Sequence, residues 1–450
     1  MLGQLAPRCF LAMICLLVTV AQRDASHAEH VHRTLPLFPE HNKREERSHP
    51  GATVVRTTKV PSQPVAVAVD ARAGRVVVLA QGAGHASVSF LDARTGKLIR
   101  TTALGASVEV GAPPGVSQGA SEPLAIDPKV GRVFVLDHGA LTAPQEAGTA
   151  PIDGKIHLLD VVTGRVLKVV PVGPNPLTLI ADTGSGHLFV PTTQAVRMLS
   201  AADGTLLRMI PAVPSAHQDR PIVDARRGRI IIRGAARPDG PAEVIVIDAA
   251  TGRVAHMVPL ALSSTCDASI VYDEAANRFV AATGEARVSM SAQILDGNTG
   301  RVVHEVTLQS GGPVAGGCPI ALAADASTRR ALIYLPPPYT GGSSFVAVLD
   351  TRDGRVLQTV ATGYGESTAV ALAIDHRRGR ALIADTFATG PLVSVNRLTV
   401  LDLHSGRPRP VASPMLGQGP PAIAVDEQTG RAFVVNGADG TVSVLDVSRD

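Results

Sequence analysis

The chain has no tryptophan among its 450 residues, and aromatic residues make up only 3% of it. WD-type repeats carry a tryptophan signature and are disfavoured on that ground. Charged residues amount to 18% and the formal net charge is +3. A nucleic-acid footprint needs a concentrated basic face, which this balance does not provide. There are four cysteines, none in a Cys-x-x-Cys-His haem attachment motif. No phosphate-binding Gly-Lys loop occurs.

Glycine (43) and proline (33) are abundant, and Val, Ile, Leu and Ala dominate the remainder. This is the composition of many short strands joined by many turns. Near the start, Arg8 precedes the apolar run 10–21, "FLAMICLLVTVA". The run is too short to span a bilayer, which takes about 18 residues or more. A basic start, a short apolar core and small residues beyond it are the pattern of a secretory signal, with Ala21 and Ala28 as alternative cleavage points; an uncleaved anchor is the alternative. Residues 1–28 are therefore expected to be a signal peptide, and the mature protein to be exported, periplasmic or extracellular, with no stable membrane span. Residues 29–52 read as a flexible leader. The stretch 27–50 is charged, lacks an apolar period and holds five histidines: His27, His30, His32, His41 and His49. Such a cluster can bind metal, but no ligand spacing is visible and a solvated tail is the simpler reading.

From residue 53 onward the chain repeats itself. "AVAVDARAGRVVVLA" begins at Ala66, "LAIDPKVGRVFVLD" at Leu124, "ALAIDHRRGRALIAD" at Ala371 and "AIAVDEQTGRAFVVN" at Ala422. Each is strand, Asp, short turn, Gly-Arg, strand. The Asp recurs as Asp70, Asp127, Asp182, Asp224, Asp273, Asp325, Asp375 and Asp426, with Gly four positions on except at Asn277 and Arg329. A second hairpin follows each first one, as in "FLDARTGKLI" and "VLDTRDGRVL". Asp at a strand end accepts backbone N–H groups two or three residues on, Gly supplies the positive φ that closes the hairpin, and the following Arg is expected to reach back toward the Asp. Each unit thus has four strands, a to d. A period of 40–50 residues is that of propeller blades.

Eight units can be counted, with seven as the alternative if the irregular units 3 and 5 are miscounted. The eighth ends at "TVSVLD" without a strand d, and an orphan strand, 53–60, precedes the first. The expected fold is an all-β propeller over 53–450 with eight four-stranded blades. It is closed by pairing 53–60 with 441–446, which removes an exposed edge.

"AFVVNGADGTVSVLD" (432–446) resembles the repeat of the YVTN-type (YncE-like) β-propellers. "VGPNPLTLIADTGSGHLFV" (172–190) and "LGQGPPAIAVDEQTGRAFV" (416–434) are similar to that family's linking segment. The resemblance covers 53–450. It implies the fold firmly and the function loosely, since such propellers include surface proteins, exported binding proteins, lactonase-like enzymes and amine dehydrogenase subunits. The stretch 92–100 also resembles quinoprotein repeats, but those dock a tryptophan that this chain lacks.

The a–b and c–d turns are short and uniform, while the b–c and d–a loops on the opposite face vary, and function concentrates on variable loops. Residues 105–122 and 137–154 stand out as a lid or as disordered insertions. Polar residues after strand b are expected at the funnel mouth: Asp137, His138, Arg233, Asp385 and Asn436 are the candidate ligand-binding residues. Carboxylates and an amide could hold a hard cation, but there is no fixed spacing, so solvated funnel residues are the preferred reading and no metal or cofactor is assigned. Cys266 and Cys318 each lie seven residues before a strand-a Asp, and a disulfide between them is expected in an exported protein, with buried thiols as the alternative. The leading expectation is a monomeric, non-catalytic binding or scaffold protein with an unknown protein or small-molecule partner. The alternative is a lactonase-like metal-dependent hydrolase or the propeller subunit of a redox complex.

Overall fold

The computed structural model describes residues 52–106, 108–110, 122–139, 153–214, 221–235, 243–260, 269–285, 289–310, 321–335, 343–364, 370–390, 393–405, 410–412, 414–419 and 421–448. They form eight antiparallel blades and no helix. Blade 1 comprises Gln63–Asp70, Arg75–Gly82, His85–Asp92 and Leu98–Ala106; blade 2 Leu124–Asp127, Arg132–Asp137, Asp153–Asp160 and Val166–Pro174. Blade 3 is Ile180–Asp182, His187–Pro191, Val196–Ser200 and Leu206–Ile210; blade 4 is Ile222–Asp224, Arg229–Ala235, Glu243–Asp248 and Val254–Pro259. Blade 5 is Ser269–Asp273, Arg278–Glu285, Ser289–Asp296 and Val302–Ser310; blade 6 is Leu322–Asp325, Arg330–Leu335, Ser343–Asp350 and Val356–Tyr364. Blade 7 is Val370–Asp375, Arg380–Gly390, Val393–Asp402 and Pro410–Ala412. Blade 8 takes Pro421–Asp426, Arg431–Asn436 and Thr441–Asp446 as strands a to c, and Thr53–Lys59 from the other end of the chain as strand d. The count of eight holds.

The repeated turn works as its residues dictate. In every blade the strand-a Asp is buried and accepts backbone N–H groups two or three residues on, as Asp70 does from Ala73 at 2.8 Å and Asp127 from Lys129 at 2.8 Å. Six turns close on a glycine with positive φ; Asn277 (φ 52°) and Arg329 (φ 55°) adopt the same left-handed conformation in blades 5 and 6. Asn tolerates it, whereas Arg329 is held there at a cost of about 1 kcal/mol or more.

The arginine that follows does not reach back to this Asp. In four blades it pairs across the b–c hairpin with the Asp that ends strand c. Arg132 meets Asp160, Arg278 meets Asp296, Arg330 meets Asp350 at 2.8 Å and Arg431 meets Asp446 at 3.4 Å. These residues are cross-strand neighbours, and opposite charges directly opposite stabilise a sheet. Blade 3 has lost both members together: His187 stands opposite Ser200.

Each blade has two apolar faces, so each seam between blades has its own core. Eight separate clusters of buried residues fill the eight seams. Val77, Val88, Phe90, Val133 and Val135 lie between blades 1 and 2, for example, and Val76, Val78, Phe433 and Val435 between blades 8 and 1. Cationic or imidazole side chains also fasten neighbouring blades at one strand-d position. Arg100 donates to the Thr163 carbonyl, Lys168 to Asp203 at 2.9 Å, and Arg208 to Thr251 at 3.2 Å. His256 faces the Gly297 carbonyl at 3.4 Å and His304 that of Arg352 at 3.2 Å. The receiving c–d turns pass so close that a Cβ on Gly252 would lie 2.5 Å from Met198 and 3.0 Å from Arg208.

The N-terminal strand fits this scheme residue by residue. Arg56 pairs with Val444 as Arg100 pairs with Phe90, and a Cβ on Gly96 would lie 2.6 Å from Val444 and 3.2 Å from Arg56. Blade 7 has Ala412 at the fastening position, and the blade after it has no c–d turn to receive a donor. The outer strands expose Leu98, Ile99, Val166, Leu167, Leu206 and Leu207. Lys97, Arg100, Arg165, Lys168 and Arg208 flank them, and cations on an edge strand oppose edge-to-edge pairing.

One strand is shorter than its sequence suggests. Strand a of blade 3 spans only Ile180–Asp182. Continuing the ladder would set Thr178 against Pro191, which has no N–H to donate, and Pro176 lacks one as well.

Deleting residues 51–60 removes the partner of Thr441–Asp446. The expected product unfolds without a single cooperative transition in urea and self-associates on size-exclusion chromatography. A monomer that unfolds like the full-length protein would contradict the closure.

The inner turns of blades 6, 7 and 8 are joined by His376. Its Nδ1 lies 2.9 Å from Asp325 Oδ1, and its backbone N–H donates to Glu427 at 3.2 Å. Burial would push the Asp325 carboxyl up, but His376, Thr328 and Ser327 hold it at about 2. The same contact raises the half-exposed His376 above its usual value. The pair's stabilisation is complete below the ordinary imidazole range and fades as pH rises through the raised value of His376. Asp325 surrenders its share only as pH falls from the ordinary carboxylate range toward about 2. His376→Ala should therefore lose at most about 1 kcal/mol near pH 5.5 and almost nothing near pH 8.5, measured as the difference between urea unfolding curves.

Candidate functional site

The two ends of the ring differ. At one end, a–b turns of uniform length repeat the same Asp contact eight times. At the other, strands b and c are joined by two residues in blade 1 (83–84) but by the span 138–152 in blade 2. The candidate residues lie at this variable end. Ala80, Asp137, Thr192, Gly234, Thr283, Leu335, Asp385 and Asn436 share one register position, the sixth from the start of strand b.

Strand pleating overturns the expectation that their side chains stand solvated at the funnel mouth. Val133 and Val135 pack toward blade 1, and Asp137 shares their face. Ile383 packs toward blade 6 and Asp385 follows it; Val434 packs toward blade 7 and Asn436 follows it. Asp137 (4% exposed), Asp385 (0%) and Asn436 (0%) are thus buried in three different seams. Arg233 is also buried, one residue earlier in the strand-b register, and is not gathered with them.

Asp137 is a tie for backbone. Its Oδ1 accepts from Glu109 N–H at 3.1 Å and Gly139 N–H at 3.0 Å, and its Oδ2 lies 3.9 Å from Nε2 of the buried His157. Burial pushes this carboxyl up, but His157 and the two N–H groups outweigh it and leave the value lowered. Gln81 holds the same strap, accepting from Val110 N–H at 2.9 Å and donating to the Val108 carbonyl at 3.3 Å. His138 faces the other way, its Nδ1 2.9 Å from the Pro176 carbonyl of the blade 3 linker; burial pushes its value down.

Asn436 is satisfied differently. It accepts from Asn396 Nδ2 at 3.3 Å and donates to the hydroxyls of Thr441 and Ser443, both at 3.0 Å. Asp385 has no such shell. Neither carboxylate oxygen has a direct hydrogen-bond partner among the described residues. Burial pushes the carboxyl up to about 6, against the pull of Thr362 and of Arg397, its cross-strand neighbour.

The sequence reading missed His157, Asn396, Thr362 and Arg397. The available signal was a polar residue at an inward-facing alternate position near the loop end of a strand, as in "KIHLLD" and "VNRLTVLD". It also passed over Gly115-Val116-Ser117-Gln118-Gly119, which has the spacing of a nucleophile elbow. An elbow needs a strand–turn–helix setting, and the strands on either side, Leu98–Ala106 and Leu124–Asp127, are blade strands. That segment, most of 105–122 and of 137–154, and both Cys266 and Cys318 lie outside the described residues. Among the described residues no group of three or more His, Cys, Asp or Glu side chains converges as a metal site.

No family model matches the chain, and no curated protein matches it in sequence. Solved structures match it in shape. The structure of BamB from Moraxella catarrhalis is 16% identical, with a TM-score of 0.53 over 88% of this chain and 99% of that one. The Dos1 propeller is 12% identical, with a TM-score of 0.57 over 88% and 96%. Likeness at these identities shows the propeller fold alone.

Asp137→Ala leaves the N–H groups of Glu109 and Gly139 without their acceptor. The expected loss is roughly 1–3 kcal/mol for each group left unpaired and buried. It should appear in urea unfolding at neutral pH together with faster hydrogen exchange at residues 108–110 and 139. Unchanged exchange there would show that the strap is held by other contacts.

Proposed function

We propose that this chain is an exported, non-catalytic propeller of the YVTN-like kind that holds a partner on the face formed by its b–c and d–a loops. The observation that carries this reading is the contrast between the two ends of one rigid ring. One end spends its polar residues on identical turns. The other varies in loop length and sequence from blade to blade, as a binding face on a fixed scaffold does. The buried groups Asp137, His138, Asp385 and Asn436 support it by what they do. Asp137, His138 and Asn436 bind a strap, a linker and a seam, and Asp385 is enclosed in another seam. A nucleophile or an open acid–base pair is not what they form.

Export rests on the pattern of residues 1–28. A protein partner fits this reading better than a small ligand, because the divergent loops are distributed round the ring.

The test is a capture experiment on native cell envelope, using the full chain and two variants. In one, residues 140–152 are replaced by a short Gly-containing turn; in the other, 111–121 are shortened likewise. Loop length costs little in stability, so both variants should fold and melt close to wild type. Each is expected to lose at least tenfold in affinity for the captured partner, measured by titration. Full affinity in both variants would place the binding face elsewhere, and substrate turnover by the purified protein would favour the hydrolase reading.

A further inference from the structure

Asp137, Asp385 and Asn436 at the shared strand-b position meet different fates, and Asp385 is the one whose side-chain oxygens have no direct hydrogen-bond partner among the described residues. Its surroundings are polar in a specific way. Strand d of blade 6 brings Thr362 beside it. By the alternation that places Val346, Val348 and Val360 in the seam, strand c of blade 6 presents Ser344 there, and by the alternation that places Leu401 there, strand c of blade 7 presents Thr399. The hydroxyl oxygens of Ser344, Thr362 and Thr399 are all buried and, like the Asp385 oxygens, have no direct hydrogen-bond partner among the described residues. The charged and titratable groups facing this point are Arg397 from strand c of blade 7 and Tyr334 from strand b of blade 6; strand a of blade 7 contributes Val370 opposite Asp385.

We propose that Asp385 and these hydroxyls form a proton-operated clasp in the seam between blades 6 and 7. When neutral, the carboxyl donates its proton in a hydrogen bond to a hydroxyl oxygen, Thr362 being the nearest candidate, and the seam stays dry. When ionised, the carboxylate draws water in. A serine or threonine hydroxyl serves either state, since it both donates and accepts. A buried carboxylate with a single nearby cation and no direct hydrogen-bond partner is costly, whereas the neutral acid is not. A polar chamber with several partners is also what ordered water requires.

Position makes the clasp consequential. Thr362 and Asp385 each stand two residues before Tyr364 and Phe387, and that pair is a parallel backbone bridge joining the sheets of blades 6 and 7. Among the described residues no other pair of blades shares one sheet. Hydration at Asp385 therefore acts beside the bridge that ties the end of strand d of blade 6 to strand b of blade 7. The direction agrees with the raised carboxyl value: the native state binds a proton that the unfolded chain has already released, so stability falls as pH rises from the ordinary carboxylate range to about 6.

The test compares wild type with Asp385→Asn in urea unfolding between about pH 4.5 and pH 7.5. The difference between the two curves cancels the His376–Asp325 contribution. Relative to the variant, the wild-type folding constant is expected to fall about twenty- to thirtyfold across this range, and the variant should be at least as stable as wild type at the upper end. Parallel curves, or a variant less stable at neutral pH, would overturn the clasp. Calcium or sodium that stabilises wild type but not the variant would also overturn it, by showing a cation at the carboxylate. Should the variant fail to fold, the infrared carbonyl stretch of a buried carboxylic acid in wild type decides. Its disappearance with a midpoint between about pH 5 and 7 supports the clasp, and its absence at pH 5 refutes it.

Discussion

The whole ring depends on a covering problem. A four-stranded sheet whose inner strands carry Val, Ile and Leu on both faces cannot stand alone in water, because both faces must be buried. Eight such sheets in a circle bury one another, and the described residues accordingly form eight seam cores and no common centre. Each seam is stabilised only by its two neighbours, so one defective blade exposes two cores. This is why the last blade must be completed, and why the strand that completes it, Thr53–Lys59, carries Arg56 in the register that Arg100, Lys168 and Arg208 occupy elsewhere. The chain's two ends are held by the same contacts as its middle.

The covering problem also explains the composition. With few aromatics, a seam holds at most one or two buried Phe or Tyr side chains among Val, Ile, Leu and Ala, and the blades approach closely. The c–d turn glycines permit that approach: a Cβ on Gly204 would lie 2.7 Å from Val170 of the preceding blade, and one on Gly354 would lie 2.9 Å from His304. The glycines thus serve twice, for positive φ within the hairpin and for clearance between blades. Long cationic side chains then bridge outward from strand d to the carbonyls of these same turns, so the fastening needs no tryptophan.

Much of this was legible in the sequence because it is local and repeated. The Asp-to-Gly spacing, the missing eighth strand d and the orphan strand at 53–60 sufficed to place the blades. The partner of the Gly-Arg arginine was not legible, since both the turn Asp and the strand-c Asp lie within reach of one extended side chain and only the cross-strand register decides between them. The direction of Asp137, Asp385 and Asn436 was misjudged for a related reason. A polar residue at a strand end suggests solvent, but strand parity overrides that suggestion, and parity is fixed by which valines face which neighbour. Counting back from Val135, Ile383 and Val434 would have turned each side chain into its seam.

The shared strand-b position is in effect a comparison carried out within one molecule. Strand register and burial are alike, while the side chains and backbone groups around each residue differ. At Asp137 two N–H groups and an imidazole are supplied, and the carboxyl is lowered. At position 436 the residue is an amide, which brings its own donors and satisfies two hydroxyls while accepting from Asn396. At Asp385 the neighbours offer hydroxyls and one guanidinium, and burial prevails. Burial alone therefore does not fix the state of a carboxyl in this ring. The donors aimed at it decide: at Asp325 they are an imidazole and two hydroxyls, and at Asp137 they include N–H groups of the strap and of the b–c loop. At Asp137 the strap and the b–c loop supply those donors, so the charge of that seam acid and the footing of these two segments are set together.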